Sequence, residues 1–150
     1  MEFDVRLLTE NDLTAASKVF TEVFSSEPWD EPWCYETAYK RFKDIRDTPG
    51  YIGIGYFNAS GQMIGFLVGN EEQWAKNRNF YINEICVLSD TQQKGIGTGL
   101  LEYLRKVLSG KGVSSAYLTT ERGLGMPESF FTKNGFYTNE SRILMNTTIL

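Results

Sequence analysis

Histidine is absent from this chain. That removes Ser-His and Cys-His nucleophilic dyads and every metal site built on imidazole. Any general base must then be a carboxylate, a lysine, a tyrosine, a cysteine or water, and no metal is expected. Cysteine is scarce as well. Cys34 and Cys86 are far apart and differ in context, so no disulfide framework is expected. No apolar run approaches the roughly 20 residues that span a bilayer. The start, Met1-Glu2-Phe3-Asp4-Val5-Arg6, is acidic and lacks a signal-peptide pattern, so a cytoplasmic protein without a membrane partner is expected. Basic residues are the minority, 15 against 19 acidic, and the net charge of −4 argues against nucleic acid while suiting a cationic partner. What is present, a hydrophobic share of 41% with 14 glycines and only 4 prolines in 150 residues, reads as one globular domain, 1–150.

No internal repeat, low-complexity tract or long linker interrupts the chain. Residues 3–8 read as a strand, and Thr9 as the N-cap of a helix with Glu10 and Asp12 in its first turn. Leu13, Ala16, Phe20 and Val23 mark that helix's inner face. A break at 25–32 leads to a second helix carrying Tyr35, Ala38, Tyr39, Phe42 and Ile45, which Thr48-Pro49-Gly50 ends. Strands at 51–58 and 62–69 read as a hairpin turned at Asn58-Ala59-Ser60-Gly61. A polar connection, Asn70 to Asn79, precedes an apolar strand at 80–88. A helix at 97–109 stops at Gly110-Lys111-Gly112, and a strand follows at 113–120. A short helix near 127–134 ends at the C-cap pair Asn134-Gly135. Two last strands, 136–139 and 142–149, turn at Asn139-Glu140.

The most specific stretch is Gln92-Gln93-Lys94-Gly95-Ile96-Gly97-Thr98-Gly99, which joins the strand at 80–88 to a helix with Leu100, Leu101, Leu104, Val107 and Leu108 on one face. Such a loop offers unpaired backbone N–H groups at the positive end of a helix dipole, which is an anion site. Gly95 and Gly97 let the backbone approach a diphosphate, and Lys94 adds positive charge. The run is not a P-loop and is a poor dinucleotide fingerprint, whose glycines are spaced differently. It does meet a Gln/Arg-x-x-Gly-x-Gly/Ala pattern as Gln92-x-x-Gly95-x-Gly97. With the preceding strand and with Phe130-Phe131-x-Lys133-x-Gly135-Phe136 downstream, it resembles the GNAT superfamily of acetyl-CoA-dependent N-acetyltransferases. The specific residues lie between about 80 and 137; the first half supports the likeness by element order alone.

The resemblance implies an α/β fold, a mixed and mostly antiparallel sheet with helices on both faces, splayed between the strands at about 80–88 and 113–120. It implies acetyl-CoA as co-substrate. Gln92, Gln93, Lys94, Gly95, Ile96, Gly97 and Thr98 would hold its diphosphate, and the main chain of Ile85, Cys86 and Val87 its pantetheine arm. Phe131 would also lie on the cofactor side, where many relatives carry a tyrosine that protonates the leaving thiolate; here the hydroxyl is missing. Leu124 stands where an asparagine is often found.

Glu84 is the only charged residue inside the apolar strand, so its carboxylate should be desolvated and raised in pKa. It matches an acidic position that serves many of these enzymes as base, directly or through water; a structural ion pair is the alternative reading. Cys86 shares its face and, with no histidine to activate it, reads as a core thiol. For the acceptor, Glu27, Trp29, Asp30, Glu31 and Trp33 combine two indoles with three carboxylates, a wall suited to a cationic amine. Alternatively the indoles plug the core. Trp74 with Glu71 and Glu72 is a second candidate wall. The expected function is acetyl transfer to the primary amine of a small cationic acceptor, polyamine or aminoglycoside-like, by direct attack in a ternary complex. A protein N-terminal or lysine acetyltransferase and a non-catalytic CoA-binding regulator are the alternatives, and the reading leaves room for a homodimer.

Overall fold

The structure, a computed structural model, describes residues 3–88, 95–123 and 126–149. They fall into two compact units, Met1–Leu118 and Thr119–Leu150. The first unit holds strands β1 (Asp4–Leu7), β2 (Tyr51–Phe57), β3 (Met63–Gln73), β4 (Arg78–Val87) and β5 (Ser115–Tyr117), with helices α1 (Leu13–Phe24), α2 (Tyr35–Arg46) and α3 (Ile96–Gly110). The second holds α4 (Met126–Lys133).

The five strands lie in the order in which they occur, antiparallel except for the parallel pair β4–β5. Alternation along β3 separates the two faces. Phe66 meets Phe42 of α2 edge-on at 5.2 Å, and a Cβ added to Gly65 would stand 3.1 Å from Ile96 of α3. Helices α1 and α2 therefore cover one face and α3 the other. Phe20 bridges the first pair of helices to that core, its ring 5.0 Å from Phe42. On α3, Leu100, Leu101, Leu104 and Leu108 are buried as their spacing predicts. Full burial of each leucine contributes about 1.5–3 kcal/mol.

The start of α1 follows the sequence expectation with one refinement. A single 3₁₀ turn, Glu10–Asp12, precedes the α-helix. Asp12 Oδ2 accepts the Thr9 amide at 2.7 Å, the Thr9 hydroxyl at 3.0 Å and Arg6 Nη1 at 2.8 Å. The end of α3 is also as expected, with Gly112 at φ +73° and Val113 N–H donating to Leu108 O at 3.0 Å.

Three expectations need correction. The polar segment 70–79 is not a connection: β3 runs to Gln73 and pairs with Arg78 across a turn closed by Trp74 N–H donating to Asn77 O at 2.9 Å. The residues are polar because this end of the sheet is only partly covered, whereas pairing needs the backbone alone. The strand expected at 113–120 shrinks to Ser115–Tyr117. The last two strands are not formed. Asn139 does make its turn, its Oδ1 accepting the Ser141 amide at 3.1 Å. Alternating apolar residues supply β propensity, but a strand exists only where a partner takes its amides and carbonyls. Residues 136–149 form no ladder with another strand among the described residues, and Tyr137, Ile143, Leu144, Met145 and Ile149 are between 74% and 88% exposed.

Candidate active site

β4 is the strand on which the site is built. Its pairing with β5 covers only Asn79, Phe80 and Tyr81, so among the described residues Ile82–Val87 meets no strand on that edge. The expected splay is there: β5 leaves β4 after Tyr81, ahead of Ile85, Cys86 and Val87. The opposite edge carries a bulge. Val68 faces Glu84 and Gly69 faces Ile82, so Asn83 has no residue opposite it. Asn83 Oδ1 is buried and, among the described residues, accepts no hydrogen bond. A buried acceptor in that state favours an incoming donor.

Glu84 projects from β4 onto the α1–α2 face, where α2 supplies its partner. Arg41 donates Nε at 3.1 Å and Nη2 at 2.8 Å, both to Oε2. Oε1 accepts no hydrogen bond among the described residues and is left to a proton donor. Burial raises the Glu84 pKa; Arg41 opposes this through its charge and its hydrogen bond, and Glu31 pushes it further up. The result is a carboxylate more basic than usual that is still held in place by a cation. Sequence reasoning missed Arg41. Its one signal was position, beside Phe42 at the margin of the inner face of α2.

Cys86 is 3% exposed, and burial, with Glu84 and Glu22 nearby, pushes its thiol well above the usual range. It is a core thiol, as its lack of an activating partner implied.

At the start of α3, Gly95 stands at φ +82°, and a Cβ there would meet nothing within 4 Å among the described residues. The amides of Ile96, Gly97 and Thr98 open a helix of 15 residues, so no carbonyl of their own helix can take them. A left-handed glycine followed by amides that, among the described residues, take no carbonyl, at the positive end of a helix, fits an anionic diphosphate. Gln92, Gln93 and Lys94 lie outside the described residues, as does Leu124.

The expected acceptor wall divides. Trp29 packs on Phe24 at 5.1 Å and Trp33 on Phe20 at 4.8 Å, so both indoles extend the core between α1 and α2. Glu27 and Asp30 are exposed in the loop. Glu31 accepts Trp33 Nε1 at 2.8 Å and is the member of the group whose charge reaches Glu84. In the second unit, Phe131 is buried against Phe130 at 5.1 Å and Phe136 at 5.4 Å. That makes it the centre of a small aromatic cluster.

Of the second candidate group, Glu72 and Trp74 come together, whereas Glu71 turns to the α3 face and pairs with Arg78 and Lys111. Glu72 Oε1 accepts the Tyr117 hydroxyl at 2.7 Å and Trp74 Nε1 at 3.3 Å, and Tyr117 lies against Tyr81 with ring centroids 4.9 Å apart. Tyr81 and Tyr117 were not anticipated. The parallel register Tyr81↔Tyr117, which brings them together, has no local trace in the sequence. No group of three or more metal-ligating side chains occurs among the described residues. No helix among them is long and apolar enough to cross a membrane.

The splayed mixed sheet, the bulged central strand and the glycine turn opening α3 define an acyl-transfer fold. The family model described as acetyltransferase (GNAT) family matches residues 15–136, and the chain belongs to that family. No curated protein sequence matches. Solved structures share the fold at low identity. AAC(6')-Iy, in complex with the bisubstrate analog CoA-S-monomethyl-acetylneamine, is 15% identical at TM-score 0.77, covering 100% of each chain. An aminoglycoside acetyltransferase from an uncultured soil metagenomic sample, in complex with sisomicin, is 16% identical at TM-score 0.77, covering 99% of this chain and 97% of that one. A transcriptional regulator from Bacillus halodurans C-125 is 18% identical at TM-score 0.80, covering 97% of this chain and 100% of that one.

Proposed function

We propose that this acetyltransferase carries acetyl from acetyl-CoA to a primary amine of a small cationic acceptor, with Glu84 as the base. Acetyl-CoA supplies the activated acyl group as a thioester. The observation that carries the reading is the state of Glu84, a half-buried carboxylate fixed by Arg41 through one oxygen and open at the other. An acceptor amine of pKa about 10.4 is almost wholly protonated at neutral pH and cannot attack, so a positioned base is needed. Glu84 Oε1 can take that proton directly or through a water. Arg41 then keeps the carboxylate from rotating away. The amides of Ile96, Gly97 and Thr98 would hold the diphosphate together with Gln92, Gln93 and Lys94, and the main chain of Ile85, Cys86 and Val87 on β4 would hold the arm.

Direct attack in a ternary complex suits this chain, because its only buried thiol, Cys86, is held in the neutral form. A small multi-amine acceptor is supported by the acidic net charge and by the sisomicin and neamine-derived ligands of two structural relatives. One feature favours the regulator reading instead: Phe131 brings no hydroxyl to the position where relatives place an acid. The test is release of free thiol from acetyl-CoA across a panel of amines, wild type beside Glu84→Gln. Amine-dependent release that falls about 10²–10⁴-fold in the variant supports the proposal. Release from no amine, with acetyl-CoA still bound, points to a regulator.

A further inference from the structure

Two adjacent glutamates on β3 meet opposite fates. Glu71 faces α3, where Arg78 Nε stands 3.2 Å from Oε1 and Lys111 Nζ 3.5 Å from Oε2. Its charge is compensated on both oxygens. Glu72 faces the other way, onto the side that carries Glu84. It is half-buried, yet among the described residues no cation pairs with it. Its two donors, the Tyr117 hydroxyl and Trp74 Nε1, are neutral and both reach Oε1. Oε2 is left open. Trp74 and Tyr117 are 39% and 37% exposed, so the carboxylate sits between two aromatic side chains that solvent still reaches. A fixed carboxylate with aromatic faces beside it selects an ammonium group, through charge and cation–π attraction together.

The register sets the distance to the reacting end. Glu84 lies opposite Val68, and Glu72 is four residues farther along β3, about 13 Å at the usual rise of a strand. Tyr81, opposite Asn70, lies midway on the same face. We propose that Glu72, with Trp74 and Tyr117, anchors a second, charged amine of the acceptor about 13 Å from the amine at Glu84. The acceptor class is then an extended di- or polyamine rather than a monoamine. This rests on Glu84 being the reacting end.

The test compares diaminodecane, diaminopropane and decylamine on wild type and Glu72→Gln, by acetylation kinetics and by calorimetry in the absence of acetyl-CoA. Diaminodecane is expected to show the lowest KM in wild type. Glu72→Gln should raise that KM about tenfold or more, with kcat nearly unchanged and decylamine kcat/KM unaffected. Equal losses for decylamine and diaminodecane, or no loss for either, would overturn the anchor. If no amine is acetylated, calorimetry still decides. Tighter binding of diaminodecane than of decylamine that disappears in Glu72→Gln upholds the anchor and removes only the reading of Glu84. No difference between the two ligands in wild type rejects the anchor.

Discussion

Glu84 and Arg41 form a pair whose two halves were unequally legible. A lone charge in the run Phe80-Tyr81-Ile82-Asn83-Glu84-Ile85-Cys86-Val87 stands out without any structure. Its partner lies 43 residues away, and no periodicity links them. The pair makes a prediction about pH. Arg41 holds the Glu84 pKa down against burial, so Arg41→Gln should let it rise. Because the base works ionised, the acidic limb of kcat/KM should move to higher pH, with little change above it. An unmoved limb would mean that another group sets it. Stability carries the same sign. A carboxylate raised in the folded state contributes stability below its unfolded pKa of about 4.3 and loses it as pH rises through the folded value. The melting temperature of Glu84→Gln should therefore gain on wild type between about pH 4 and neutrality. A gap between the two that does not vary with pH would contradict the raised pKa.

Elements were legible where burial follows the period of a helix or a strand. Helices α1, α2 and α3 fall where the apolar spacing puts them, and β4 does as well. The far end of β3 did not show, because Asn70, Glu71, Glu72 and Gln73 advertise solvent rather than pairing. Two element ends can be tested. At the entry to α1, the hydrogen bond from Arg6 pulls the Asp12 pKa down, burial opposes it, and the Thr9 amide and hydroxyl add to the lowering. A lowered carboxylate contributes stability above its unfolded pKa of about 3.9, lost as pH falls through the folded value. Asp12→Asn should cost about 1–2 kcal/mol at pH 7, with the deficit shrinking as pH falls below the unfolded pKa of about 3.9, as urea melts at several pH values would read. At the entry to α3, Gly97→Val puts a branched side chain where an anion would approach the amides. With the fold intact, calorimetry should show acetyl-CoA binding weakened by several kcal/mol, since each charge-assisted bond lost is worth about 1.5–3 kcal/mol. Unchanged affinity in a folded variant would end the anion-site argument.

For the whole molecule, family membership came from one strand–turn–helix join and one downstream motif, and the sheet then brought together what those motifs left apart. The C-terminal run shows where sequence reading stops. Its alternation is strand-like, yet residues 136–149 make no ladder among the described residues, because propensity alone does not make a strand. The same run bears on turnover. Phe131 has no hydroxyl, and Tyr137, the nearest phenol in sequence, is 88% exposed within its own unit. A thiol of pKa about 8.5 leaves tolerably without help, so no side-chain acid is required. Tyr137→Phe is accordingly expected to leave kcat within about twofold, and Phe131→Tyr to raise it modestly or not at all. Single-turnover rates of amine-dependent thiol release would check both, because they separate the acyl step from product release. A loss of about 10²-fold or more in Tyr137→Phe, with acetyl-CoA affinity intact, would show that Tyr137 has taken over the acid's role. Water or the acceptor's own proton would then no longer suffice for the departing thiolate.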